Sequence, residues 1–177
     1  MTCEDAGMSL YVEWINQIKT LATYEWLTDG QKPAYDSIAE RWPTQRFVCL
    51  CGPSGSGKSF IARLLVKEKG YLYVNDLREV PAGTEYVVAD NAEYSRMMRP
   101  LASALNLRKV VVAMRVPPRD PMPRATVHLT DRDVGQFQHN LVKHSILQSF
   151  QTVPEGTDLG QILRAEAVHR SGIDARA

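Results

Sequence analysis

The chain has 177 residues, of which 44% are hydrophobic and 23% are charged, a composition typical of globular domains. This length allows one domain with a substantial core and is too short for two ordinary domains. A net charge of +1 excludes nucleic-acid binding through bulk charge alone, although a local basic patch stays open. There is no apolar leader and no apolar run near the roughly 20 residues that span a membrane, so we expect a cytoplasmic protein without a membrane partner.

The amino-terminal part is predicted to be helical. Apolar side chains recur near a 3.6-residue period over residues 9–27, which indicates an amphipathic helix. A second helix is expected over about 32–42, because Pro33 suits a first turn and Pro43 follows its end. The first of these helices carries Trp14, Tyr24 and Trp26. These side chains either pack against the sheet, which we favour, or form a docking surface.

From residue 46 onward, short apolar runs alternate with helical patterns. The apolar runs predict strands over 46–51, 71–74, 85–90, 109–114 and 125–129. Helices are expected over 58–69 with Gly70 as the stop, over 92–107 with a kink or split at Pro100, over 131–150 after an N-cap at Thr130, and over 158–170. Cys49 and Cys51 lie in the first of these strands and are expected to be buried free thiols, because no second Cys/His cluster completes a metal site.

Continuous apolar strands that alternate with helices indicate a buried parallel sheet. The fold class is therefore α/β, a three-layer αβα sandwich with a five-stranded parallel sheet. We divide the chain into helices over 1–43 that flank the core, a core over 44–150, and a short helix and tail over 151–177.

The first strand runs into a glycine-rich segment with the spacing of a phosphate-binding P-loop. Glycines let the backbone fold around an anion, and the helix that follows adds the positive end of its dipole. Lys58 is expected to reach the β- and γ-phosphates of ATP, and the Ser59 hydroxyl to ligate Mg²⁺. The residues expected to bind the nucleotide are Gly52, Pro53, Ser54, Gly55, Ser56, Gly57, Lys58, Ser59 and Phe60.

A P-loop enzyme also needs an acid that positions Mg²⁺ through water. Its usual source is an aspartate at the end of a buried strand next to the P-loop strand, and Asp90 ends the run "EYVVAD". ATPases of the additional-strand class usually carry a glutamate directly after this aspartate, whereas this chain has Asn91. An amide orients water but cannot act as a base, so Glu93 is the candidate substitute. Slow or absent hydrolysis therefore stays open.

The order of these motifs resembles the AAA+ ATPases, and within them the bacterial replication initiator family and its regulatory relatives, which implies that the core over 44–150 has the P-loop NTPase fold. The similarity covers residues 44–150 and includes "DNAE" at 90–93 and the "PPR" turn that ends at Arg119. The resemblance implies Mg²⁺-dependent ATP binding, a protein partner or homo-oligomer, and DNA as a further candidate partner. It also implies a polar sensor after the fourth strand, where this chain has Met114 or Arg115. Candidates for an arginine finger are Arg119 and Arg124. A full helical lid does not fit the length that remains.

A second resemblance lies upstream of the P-loop. The segment "LTDGQKPAYDSI", 27–38, is similar to the glutamine segment of superfamily 1 helicases, which implies that Gln31 pairs with adenine. The alternative is an ordinary helix start.

Three functions follow as hypotheses. The first, which we favour, is a minimal ATPase or ATP-dependent switch. The second is a small-molecule or nucleotide kinase, with Asp76 as base and Arg78 as anion clamp. The third is a nucleotide-binding module that does not hydrolyse ATP.

Overall fold

The structure is a computed structural model that describes residues 3–41, 44–90, 97–150 and 152–174. The helices in these ranges are α1 (Cys3–Leu21), α2 (Lys32–Asp36), α3 (Lys58–Lys69), α4 (Met98–Ala104), α5 (Asp131–Lys143) and α6 (Leu159–Asp174). The strands are β1 (Phe47–Cys51), β2 (Leu72–Val74), β3 (Tyr86–Asp90), β4 (Lys109–Met114) and β5 (Arg124–Thr126). A π-helical turn follows α2 over Ser37–Arg41, and 3₁₀ turns form at Tyr24–Trp26 and Leu77–Glu79.

The strands form one five-stranded sheet in the order β2-β3-β4-β1-β5, and every neighbouring pair is parallel. The sheet is flanked by helices, which confirms the predicted α/β class with a five-stranded parallel sheet. β1 is buried along its whole length and β4 along all but its last residue, as expected for central strands covered on both faces.

The register brings the carboxyl ends of the central strands to one edge of the sheet. Asp90 in β3 pairs with Ala113 in β4, and Ala113 pairs with Leu50 in β1. The glycine-rich segment leaves β1 two residues beyond Leu50. In a parallel sheet, ligands bind at this carboxyl edge, so the fold places the glycine-rich segment and Asp90 along the same edge.

Successive side chains along each strand point to opposite faces of the sheet. One face holds a buried cluster that includes Val87, Ala89, Val110 and Val112, together with residues of α4. Val88 and Asp90 point to the other face, where α3 packs on β2, β3 and β4 with Ile61, Leu64 and Leu65 fully buried. Tyr73 in β2 pairs with Val88 and so lies on this same face.

Predicted elements with local end signals agree best with the structure. The helix predicted over 58–69 has these bounds, and Gly70 ends it with a left-handed φ of 72°. The helix predicted over 9–27 is wrong at both ends, because α1 begins at Cys3 and stops at Leu21. The helix predicted over 131–150 ends at Lys143, and the fifth strand is Arg124–Thr126 rather than 125–129.

Helix α4 begins two residues before Pro100. Pro100 therefore lies in the first turn, where a residue without an N–H breaks no hydrogen bond of the helix. The earlier part of this predicted helix, over 92–96, falls outside the described residues. Thr130 precedes α5 as predicted, and its backbone N–H and hydroxyl both donate to the Asp133 carboxylate, at 2.6 and 2.7 Å.

The chain divides into two compact units. One is Asp29–His128, which contains the sheet with α2, α3 and α4. The other joins Met1–Thr28 to Leu129–Ala177 and contains α1, α5 and α6, with α1 packed along α6. None of the helices in the described ranges combines the length and the apolar character that a membrane crossing needs.

Trp14 and Trp26 belong to the core of the helical unit. Trp14 is 6% exposed with the Arg170 guanidinium 5.0 Å from its ring centre, and Trp26 stacks on His144 at 4.7 Å. The alternative that these side chains form a docking surface is therefore wrong for both tryptophans.

Candidate functional site

The loop between β1 and α3 has a backbone that requires glycine at several positions. Gly55 and Gly57 have φ values of 71° and 85°, in the left-handed region that other residues rarely adopt. A Cβ on Gly52 would lie 2.8 Å from the Ser56 hydroxyl oxygen and 3.1 Å from the carbonyl oxygen of Val127. The glycines predicted to shape a phosphate cradle are thus needed for the loop conformation itself.

The amino terminus of α3 is open to an anion. Gly57 is its N-cap and supplies no side-chain hydrogen bond, and the first turn carries no acidic residue. The first N–H groups of a helix have no partner within the helix, and the helix dipole favours negative charge there. The arrangement fits a phosphate group, the ligand that the spacing predicts. Pro53, Ser54 and Ser59 are exposed on this loop.

Lys58 is folded back over the loop. Its ammonium donates to the carbonyl oxygens of Gly52 and Pro53, at 2.9 and 2.7 Å. Burial lowers the pKa of Lys58, Asp90 opposes that shift, and Arg115 adds to it. A partly desolvated ammonium among carbonyl oxygens at the mouth of the loop is suited to binding phosphate oxygens in their place.

Asp90 ends β3 with only 2% of its surface exposed, and the Tyr73 hydroxyl donates to its Oδ2 at 2.6 Å. The expectation that its strand lies next to the P-loop strand is wrong. β4 pairs in register with both β1 and β3 and separates them. Since the three strands end at the same edge, Asp90 still acts electrostatically on Lys58.

Gln31 contacts the loop directly. Its side chain is 2% exposed, and its amide nitrogen donates to the carbonyl oxygen of Ser56 at 3.1 Å. The Ser56 hydroxyl is fully buried, and among the described residues it has no hydrogen-bond partner. Pairing of Gln31 with adenine stays a prediction, whereas its bond to Ser56 indicates that it supports the loop.

A substitution separates these two roles. We expect Gln31→Leu to lower the free energy of unfolding by about 1–3 kcal/mol, because a buried carbonyl loses its donor. Affinity for ATP and for GTP should then fall by the same factor. Gln17→Leu, on the exposed side of α1, should change neither quantity. A loss confined to ATP, with stability unchanged in thermal unfolding, would instead support adenine recognition.

Asp76 and Arg78, the pair assigned to a kinase acceptor site, bind each other. Asp76 caps the 3₁₀ turn Leu77–Glu79, and its carboxylate accepts from the backbone N–H of Arg78 at 2.8 Å and from the Arg78 guanidinium. The hydrogen bonds from Arg78 lower the pKa of Asp76 to about 2. A carboxylate of such low basicity is poorly suited to take a proton from an acceptor.

The remaining candidates lie on the loop over 115–123 or at the ends of the two strands that flank it. Met114 is the last residue of β4 and is half-buried, while Arg115 is exposed and acts on the Lys58 pKa. Arg119 is exposed, and Arg124 donates to the carbonyl oxygen of Pro118 at 3.2 Å. The sensor and arginine-finger roles stay predictions.

Two predicted site residues, Asn91 and Glu93, lie outside the described residues. Within the described ranges, no group of three or more His, Cys, Asp or Glu side chains could hold a metal ion. Mg²⁺, however, is usually held by one or two protein groups together with substrate phosphates. Ser59 at the start of α3 and Asp90 on the same edge suit that kind of site. Tyr73 and its contact with Asp90 were missed, because strand pairing is not visible in the local pattern.

Comparison with models of known protein families returned no match, and neither did comparison with curated proteins.

Proposed function

We propose that the chain binds ATP with Mg²⁺ at the loop 52–59 and is a minimal ATPase or ATP-dependent switch. The observation that carries this proposal is the edge shared by three features: the glycine loop with its open helix terminus, the folded-back Lys58, and the buried Asp90. The additional-strand class is named for a further strand in its sheet, and in this chain β4 lies between β1, which precedes the loop, and β3, which ends at Asp90. The position of β4 between β1 and β3 supports assignment to that class.

Each side chain has a stated task in this proposal. The backbone N–H groups at the start of α3 and the Lys58 ammonium bind and orient the phosphates. Ser59 and Asp90 would hold the metal ion, Ser59 as a ligand and Asp90 through water. When bound, Mg²⁺ would neutralise charge on the phosphates. Gln31 holds the loop through Ser56.

The partner is proposed on the resemblance to the replication initiator family. We propose a protein partner or a second copy of the chain, with DNA as the alternative partner. The exposed Arg115 and Arg119 supply local positive charge without a large net charge. The buried free thiols Cys49 and Cys51 suit a reducing compartment, and we propose the cytoplasm.

The test is nucleotide turnover by the purified chain, with and without single- and double-stranded DNA. Asp90→Asn should lower turnover by at least about 10-fold, since it removes the charge that holds the metal's water shell. Asp76→Asn is the matched control, because the same change is made on a half-buried carboxylate of the same sheet unit. Turnover that DNA increases, and that depends on Asp90 but not Asp76, supports the proposal.

Other outcomes identify the alternatives. Phosphoryl transfer that requires Asp76 would replace the proposal with the kinase hypothesis. If the chain binds ATP with Mg²⁺ tightly but shows no turnover under any condition, the ATPase hypothesis is excluded. The hypothesis of an ATP-dependent switch then remains, with Asn91 at the position where an ATPase carries its base.

A further inference from the structure

Tyr73 and Arg63 form a chain of contacts that ends at Asp90. The Tyr73 hydroxyl lies 2.6 Å from Oδ2 of Asp90, across the pairing of β2 with β3. The Arg63 guanidinium lies 3.5 Å from the centre of the Tyr73 ring. Arg63 belongs to α3, four residues after Ser59, so the contacts join the helix of the phosphate loop to the buried acid.

The direction of the hydrogen bond follows from its chemistry. A phenol carries an O–H, and an ionised carboxylate only accepts hydrogen bonds. The Tyr73 hydroxyl is therefore the donor and the Asp90 carboxylate the acceptor. A charge-assisted O–H···O bond of this length fixes the rotation of the carboxylate.

The Arg63 contact fixes the ring in turn. A guanidinium this close to a ring centre makes a cation–π contact, which is strongest with groups that are partly removed from water. Tyr73 and Arg63 are both half-buried. The ring thus has a packed face towards α3 and a hydrogen-bonded end at Asp90, and it has little freedom to turn away.

We propose that Tyr73 is a positioning residue for the metal site, which holds the Asp90 carboxylate in the orientation that water on Mg²⁺ requires, with Arg63 as its support. This inference rests on the proposed function, because it assumes Mg²⁺ beside the phosphates. Outer partners that orient a metal-binding group typically change metal affinity by 10–100-fold when removed. Asp90 acts through water, so we expect the low end of that range.

The test measures binding rather than turnover. ATP with a fluorescent ribose label is titrated against the full chain over a range of Mg²⁺ concentrations. For Tyr73→Phe we expect the Mg²⁺ concentration at half-maximal binding to rise about 10-fold, with the binding at saturating Mg²⁺ unchanged. The matched control is Tyr71→Phe, the same change two residues earlier, at a ring that faces Tyr86 at 5.5 Å instead of Asp90.

A second variant keeps the inference testable if Tyr73→Phe does not fold. Arg63→Gln leaves the hydroxyl in place and should shift the Mg²⁺ midpoint in the same direction by a smaller factor. If the wild type binds with a Mg²⁺ midpoint and both variants match Tyr71→Phe, the inference is overturned and the proposed function stands. If the wild type binds no labelled ATP at any Mg²⁺ concentration, the proposed function fails and the inference fails with it.

Discussion

Replacement of Lys58 by alanine is expected to weaken ATP binding by about 30-fold or more. The ammonium is partly desolvated and held by the carbonyls of Gly52 and Pro53, so it is already placed over the loop. Removal of one partner from a desolvated charge pair costs about 2–5 kcal/mol of binding free energy. Equilibrium titration of the variant beside the wild type measures this loss.

The fold should tolerate the same change. Burial lowers the pKa of Lys58, so between that lowered pKa and the ordinary value the unfolded chain holds more protons, and stability rises with pH in that window. At pH values below that window the charged lysine costs stability, so Lys58→Ala should not lower the thermal midpoint there. Lys69→Ala, at the exposed end of α3, is the matched control and should bind ATP normally. Equal affinity of the two variants would contradict the assignment of the site.

Alanine in place of Gly52 and of Gly135 is expected to have effects of opposite sign. At Gly52 the new methyl group meets the Ser56 hydroxyl oxygen at 2.8 Å and the Val127 carbonyl at 3.1 Å. Overpacking of this kind typically costs about 1–3 kcal/mol, and it displaces the loop, so ATP affinity should fall as well. At Gly135, in α5, the methyl group meets no atom within 4 Å.

For Gly135→Ala we expect the free energy of unfolding to rise by about 0.5–1 kcal/mol, because alanine is the better helix former and restricts the unfolded chain. Thermal unfolding of both variants, together with ATP titration, measures the contrast. A Gly52→Ala variant as stable as the wild type and with full ATP affinity would show that the loop does not need this glycine.

Local signals explain which parts of the fold were predictable. Helix α3 begins after Gly57 and ends at Gly70, two residues whose left-handed conformations mark its ends. The bounds of α3 could therefore be predicted directly from the positions of these glycines in the sequence. The apolar period of the first helix continues through residues 22–27, but the backbone there leaves the α-helix and forms the 3₁₀ turn Tyr24–Trp26. Hydrophobic period alone does not locate that end.

Contacts between distant residues explain what could not be predicted. The strand order depends on pairing between β1, β4 and β3, so the separation of β3 from β1 had no local signal. Gln31 reaches Ser56 across 25 residues, and Tyr73 reaches Asp90 across 17. The residue types at the site could be named from the motif, but their supporting partners required the register of the sheet.

The central claim is that the loop 52–59 binds ATP together with Mg²⁺. Calorimetric titration of the wild-type chain with ATP, in the presence and in the absence of Mg²⁺, tests it most directly. The account predicts one site per chain, a dissociation constant well below about 1 mM, and binding that is tighter with Mg²⁺ and lost in Lys58→Ala. Binding that is absent, or that is the same in Lys58→Ala as in the wild type, would contradict it.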